Sequence, residues 1–331
     1  MKKIILTLSA VLLVLLAVSC NMDSTTGLFQ EAGTSVKKES YLIRKVIDED
    51  VTNSVFLVAA DEGIFVYSAK SGKIGETAFD GTTSKNVIWG SLTETSGSYS
   101  WECIFYSEKD GKYYTINQNG EKNEYAGIDT KFVPVGDSCY DNDTTIIVFK
   151  NTETSTSWIF AESTIPVTSK IVDTGCTDVS FIGDKYFIGY NSSGKHGYFK
   201  YSSSSVNSFT ENDTYITYEG NVFLTNSDTF INESGGTQIG SVSSNYTYTR
   251  TPAITDINGN VYFILKGLNN VYKITGNTLD PKNCASLSSI EVIYIDSVSD
   301  DGNYMNVITA ESGAKCINIK DSKIDSWKES Y

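Results

Sequence analysis

The nine residues Ile257-Asn-Gly-Asn-Val-Tyr-Phe-Ile-Leu265, "INGNVYFIL", decide how the chain is read. The first half is a turn: Asn-Gly supplies the positive φ that a tight hairpin demands. The second half, Val261 to Leu265, is β-branched, aromatic and apolar without alternation. A strand with one wet face alternates; a short continuous apolar run is a strand covered on both faces.

The same pairing of turn and strand recurs along the chain. "DEGIFVY", "KDGKYYTI", "DNDTTIIVF", "IGDKYFIGY", "YEGNVFLT" and "DDGNYMNVI" each place an acidic, amide or glycine turn before a β-rich run. The anchors fall at Gly63, Gly111, Asp143, Gly183, Gly220, Gly259 and Gly302. Their spacing averages about 40 residues, the length of a four-stranded propeller blade. The run Thr145 to Phe149 is also apolar without alternation, as an inner blade strand between two neighbours requires. Helical periodicity is absent over any long stretch.

The fold expected is an all-β β-propeller of seven four-stranded blades. The last blade reads one strand short, with "SIEVIYID", "GNYMNVITAE" and "GAKCINIKD". The early run "YLIRKVI", Tyr41 to Ile47, is a strand without a blade. It is expected to complete the last sheet and close the ring, so that no edge is left open. The alternative is a series of tandem β-sandwich domains, which share the same turn signals.

The N-terminus gives an address. Lys2 and Lys3 precede an apolar stretch from Ile4 to Val18, shorter than the roughly 20 residues a membrane span needs and typical of a secretory signal. Ala17-Val18-Ser19-Cys20 resembles a bacterial lipobox, with Ala17 where that motif usually has Leu. The resemblance implies cleavage before Cys20, a diacylglycerol on its sulfur and an acylated amine, enough chains for stable anchoring in a lipid bilayer. Residues 1–19 are then a signal peptide and 20–40 a lipidated flexible tether. Residues 41–327 form the propeller domain and 328–331 a polar tail. Asn21 favours export to an outer membrane, because an Asp there is a retention signal in some bacteria. The protein is expected to be exported and anchored to the cell membrane or outer membrane, facing the periplasm or the surface.

"GIFVYSAKSGKIGE", Gly63 to Glu76, is similar to the quinoprotein-type propeller repeat. Ser71-Gly72 stand for its Thr-Gly, while Ser68 and Glu76 replace its Asp and Trp. The likeness covers one blade, and that family's function is not carried over.

Charge and composition exclude several classes. The chain of 331 residues carries a formal charge of −14, with 26 basic and 40 acidic residues. Nucleic acid is a poor partner for it, since phosphate binding rests on Lys and Arg. The single histidine, His196, lies among Gly and Lys and is expected in a surface hairpin turn. One histidine rules out a multi-histidine zinc site, and no G-x-S-x-G elbow is present for a serine triad. A sialidase-type arginine triad is out of reach with Arg44 and Arg250 alone. Phosphate-binding glycine loops are missing, so no cofactor is expected. The acidic turns Asp141 to Thr145 and Ser299 to Asn303 lack a full calcium loop and are read as turn chemistry. Besides Cys20 the cysteines are Cys103, Cys139, Cys176, Cys284 and Cys316, an odd number with no C-x-x-C pair, read as buried single residues in strands.

No catalytic set emerges, and the one assigned site is lipidation at Cys20. The function expected is a non-enzymatic, membrane-anchored scaffold for a protein partner. The alternative is a carbohydrate-binding or carboxylate-dependent glycan-hydrolysing propeller. Carboxylates converging on the channel mouth would favour the enzyme, and aromatics with amides a lectin.

Overall fold

The structure is a computed structural model. It describes residues 42–328, apart from 49–52, 61–62, 70–71, 79–85, 136–137, 142–143, 191–195, 203–204, 207–209, 212–214, 235, 243–249 and 310–312. The signal peptide, Cys20 and the tether lie outside the described residues.

The described strands make an all-β β-propeller. They form seven antiparallel sheets, each built from consecutive strands and each a simple meander. Five sheets have four strands and two have five. The extra strands are halves of split ones. In the third sheet, Phe132–Pro134 and Cys139–Asp141 pair with opposite ends of Thr144–Asn151. In the fourth, Ser205–Val206 and Thr210–Glu211 both pair with His196–Ser202.

Each sheet buries both faces, and side-chain alternation sorts them. In the second strand, Asn53–Ala60, the side chains of Val55, Leu57 and Ala59 pack against the second sheet. Those of Phe56 and Val58 point the other way, into the last sheet. Every joint between consecutive sheets holds one such apolar cluster. The seventh cluster joins the last sheet back to the first, through Phe56, Phe65 and Tyr67 against Ile308 and Ala314. The ring is therefore closed. Residues 145–149 and 261–265 are buried throughout, as their unbroken apolar runs require.

Two expectations are corrected. The N-terminal strand, Leu42–Asp48, does not complete the last sheet; it pairs in register with Asn53–Ala60 and opens the first. The last sheet supplies its own fourth strand, Lys323–Ser326, paired to Gly313–Asn318. That strand is short and polar because it is an outer edge facing water. Closure is by side-chain packing instead of strand exchange. Tandem β-sandwiches are also excluded, because seven meanders sharing cores in a ring leave no pair of sheets that packs only with itself.

The repeat read from the sequence slips in phase. Gly111 turns between the second and third strands of its sheet, and Gly63 opens a third strand. Gly183, Gly220, Gly259 and Gly302 instead turn between first and second strands. The short step from Gly111 to Asp143 is where the phase changes. The "GIFVYSAKSGKIGE" stretch spans the third and fourth strands of the first sheet, Gly63–Ser68 and Gly72–Ala78. His196 is the first residue of the strand His196–Ser202, opposite Tyr190, and not a turn residue. Cys103, Cys139 and Cys316 lie in strands, while Cys176 and Cys284 lie in connections; all but Cys139 are buried.

Candidate functional site

First strands of the sheets meet near the ring axis: Leu42–Asp48 lies against Asn86–Thr95 and Cys139–Asp141, and Tyr215–Glu219 lies between Asp178–Gly183 and Ala253–Thr255. Two of these strands, Cys139–Asp141 and Ala253–Thr255, are short and mixed in polarity. A cavity of about 390 Å³ opens there. It is lined by residues of the third to seventh sheets, among them Asp141, Phe181, Glu219, Arg250 and Asp296.

Each charged group has a defined surrounding. Arg250 crosses from the segment before Ala253–Thr255 toward the third and fourth sheets. Its guanidinium carbon lies 4.7 Å from the centroid of the Phe181 ring, a cation–π stack. Its Nη2 lies 3.7 Å from Asp141 Oδ2. That oxygen also accepts the backbone N–H of Asp184 at 3.0 Å. Glu219 Oε1 accepts from the Thr255 hydroxyl at 2.6 Å. Burial pushes the Glu219 carboxyl above the usual carboxylate range, and the charges of Asp141 and Asp184 add to the rise. The Thr255 hydrogen bond and Arg250 oppose it without cancelling it. In the last sheet, Asp296 is 4% exposed and forms an ion pair of 2.6 Å with Lys45 from the first sheet. The hydroxyl of Ser297 donates to its second oxygen at 3.1 Å.

The channel thus gathers three carboxylates and two cations within an otherwise acidic chain. Among the described lining residues there is no histidine. Cys139 lines the cavity without one beside it. Among the described residues, no cluster of three or more His, Cys, Asp or Glu is arranged to hold a metal ion. Asp301, in the turn Ser299 to Asn303, spends its carboxylate on the Ser299 hydroxyl and the Asn303 amides. The Asn142–Asp143 part of the other acidic turn lies outside the described residues.

Sequence reading reaches Arg250 only by counting arginines, and it does not single out Glu219 or Asp296. It reads Asp141 only as turn chemistry. A signal exists for two of them. Asp141 and Glu219 are the acidic residues of the repeat anchors "DNDTT" and "YEGN", at the point where a first strand meets its turn.

No protein-family model matches this chain, and no curated protein matches it. Solved structures similar to it are distant in sequence. Virginiamycin B lyase from Staphylococcus aureus is 16% identical, with a TM-score of 0.45 over 84% of this chain and 94% of that one. A chain from the crystal structure of BBS1N in complex with ARL6DN is 10% identical, with a TM-score of 0.47 over 87% and 96%. The WD40 β-propeller domain of Doa1 is 10% identical, with a TM-score of 0.39 over 86% and 94%.

Proposed function

We propose that this chain is a non-enzymatic binding module of the bacterial envelope. Residues 1–19 export it, an acylated Cys20 anchors it in a lipid bilayer, and residues 20–40 tether residues 41–327 as a docking platform for a protein partner. We read each sheet as one blade, which makes the ring seven-bladed; seven meanders and seven intersheet cores support that count. One observation carries the binding reading. The channel's charged groups stand beside opposite charges, Arg250 3.7 Å from Asp141 and Lys45 2.6 Å from Asp296, with no nucleophile–base pair among them. Groups arranged this way recognise and orient; acid–base work needs a group left to transfer a proton.

A second reading has its own support. A carboxyl whose hold on its proton is raised by burial, Glu219, stands near a carboxylate beside a cation, Asp141. Glycosidases divide acid and base roles between two carboxyls in that manner.

One experiment separates the two. A photo-crosslinking residue is placed at Ile257, which is 82% exposed in the turn that follows Ala253–Thr255. The protein is expressed in bacteria and the membrane fraction is irradiated, with Cys20→Ala in parallel. The expected result is a discrete protein adduct in the membrane fraction that disappears when Cys20→Ala releases the chain from the membrane. A Cys20→Ala protein that stays membrane-bound overturns the anchor. Release of reducing sugar from envelope glycan, lost in Glu219→Gln, overturns the non-enzymatic reading.

A further inference from the structure

The axial cavity has unspent recognition chemistry. Arg250 carries five N–H donors in a fixed fork, yet among the described residues none of them reaches a hydrogen-bond acceptor. Its contact with Asp141 is 3.7 Å, about 1 Å longer than a charge-assisted hydrogen bond. The Phe181 ring lies under the guanidinium, its centroid 4.7 Å from Cζ. A carboxylate is the partner that fits such a fork.

A simple anion is a poor occupant all the same. Asp141 and Glu219 stand in the same wall, and like charges oppose it. A simple cation meets Arg250. A ligand carrying both signs close together satisfies the whole wall, its carboxylate on Arg250 and its ammonium on Asp141 and the second oxygen of Glu219. The rest of the lining includes Val148, Val179, Ile254 and Ile293, which suits an aliphatic body. The volume, about 390 Å³, lies at the lower end of small-molecule sites.

We propose that the axial cavity binds a free α-amino acid with an aliphatic side chain, Arg250 taking its carboxylate and Asp141 with Glu219 its ammonium. This goes beyond the docking reading and fails separately from it, because the test needs neither lipid nor protein partner. Its three ligands distinguish a free amino acid from the end of a protein chain.

The full chain in detergent is titrated calorimetrically with L-leucine, N-acetyl-L-leucine and L-leucinamide. The second keeps only the carboxylate, like a protein C-terminus. The third keeps only the ammonium, like an N-terminus. Saturable binding of leucine is expected, with each analogue at least tenfold weaker. Arg250→Gln is expected to weaken leucine at least tenfold and to erase its advantage over leucinamide. A thermal melt matching the parent shows that this exposed position leaves the fold intact, and Arg250→Lys serves as a second variant. No saturable heat from leucine at millimolar concentration overturns the proposal. So does N-acetyl-leucine binding as tightly as leucine, or an Arg250→Gln protein that melts and binds like the parent.

Discussion

The hydroxyl of Tyr67 accepts a hydrogen bond of 3.2 Å from the backbone N–H of Ala314, 247 positions further along the chain. This bond crosses the joint between the first and last sheets, where no covalent connection holds the ring shut. Burial raises the Tyr67 phenol above its ordinary range, so it stays neutral. Tyr67→Phe leaves the Ala314 N–H buried without its partner and is expected to cost about 1–3 kcal/mol in urea unfolding. An unchanged midpoint would mean that packing alone holds the joint.

Gly313 belongs to the same joint. Its φ is +66°, and an added Cβ would lie 2.3 Å from the Tyr67 ring. Gly313→Ala is therefore expected to cost more than Gly267→Ala, which shares the backbone conformation (φ +76°) but has open space around it. The Gly267 change measures conformation alone, about 1 kcal/mol. The comparison is a pair of thermal melts, and equal losses would refute the steric account.

Lys45 and Asp296 tie the same two sheets nearer the axis. Lys45→Met strands a nearly buried carboxylate and is expected to cost about 3 kcal/mol. Asp296→Leu added to it is expected to recover most of that loss. Equal stability of the single and double variants would show that the carboxylate finds solvent.

Two carboxyls give opposite pH dependence. The folded-state value of Glu219 is raised, so the folded protein holds the extra proton and stability declines as pH rises through that shifted value. Glu219→Gln should then raise Tm at pH 7 and leave it unchanged at pH 4. Asp301 is drawn down to about 2 by the Ser299 hydroxyl and the Asn303 amides. Its contribution is present above the unfolded value of roughly 3.9 and is lost as pH falls toward 2. Asp301→Asn should lower Tm at pH 7 and converge with the parent near pH 2.

Tyrosines set the alkaline limit. Burial raises Tyr113 and Tyr262, burial and the Glu233 carboxylate raise Tyr186 and Tyr218, and hydrogen bonding to Asp110 holds Tyr114 up to about 12. Each contributes stability that is complete below the unfolded value near 10 and is lost above it. Absorbance at 295 nm and far-UV circular dichroism should change together in one cooperative step above pH 10. Gradual tyrosine ionisation with the sheets intact would contradict this.

The blade strands were legible because they sit between neighbours. Val261 to Leu265 has no polar face to interrupt it, so its sequence alone reports burial on both sides. The phase of the repeat was not legible, since an Asn-Gly or Asp-Gly turn has the same local chemistry in any hairpin. Lys323–Ser326 was invisible for a different reason. A rim strand of four residues, half charged, carries no hydrophobic signal, and missing it left Leu42–Asp48 to be assigned across the joint. The channel residues were hidden by distance along the chain. Asp141, Glu219 and Arg250 come from separate sheets, and only the ring brings them together.

Packing closes the ring without strand exchange, and this bears on circular permutation. The first described strand runs at the hub, and the last lies at the rim three strand spacings out, about 14 Å away. Every other sheet is joined to the next across that same radius, for instance from Asn283 to Val292. A linker of similar length between the two ends would reproduce an ordinary intersheet connection. Fresh termini cut at any of those connections would then leave every sheet whole. The ring of sheets has no privileged beginning.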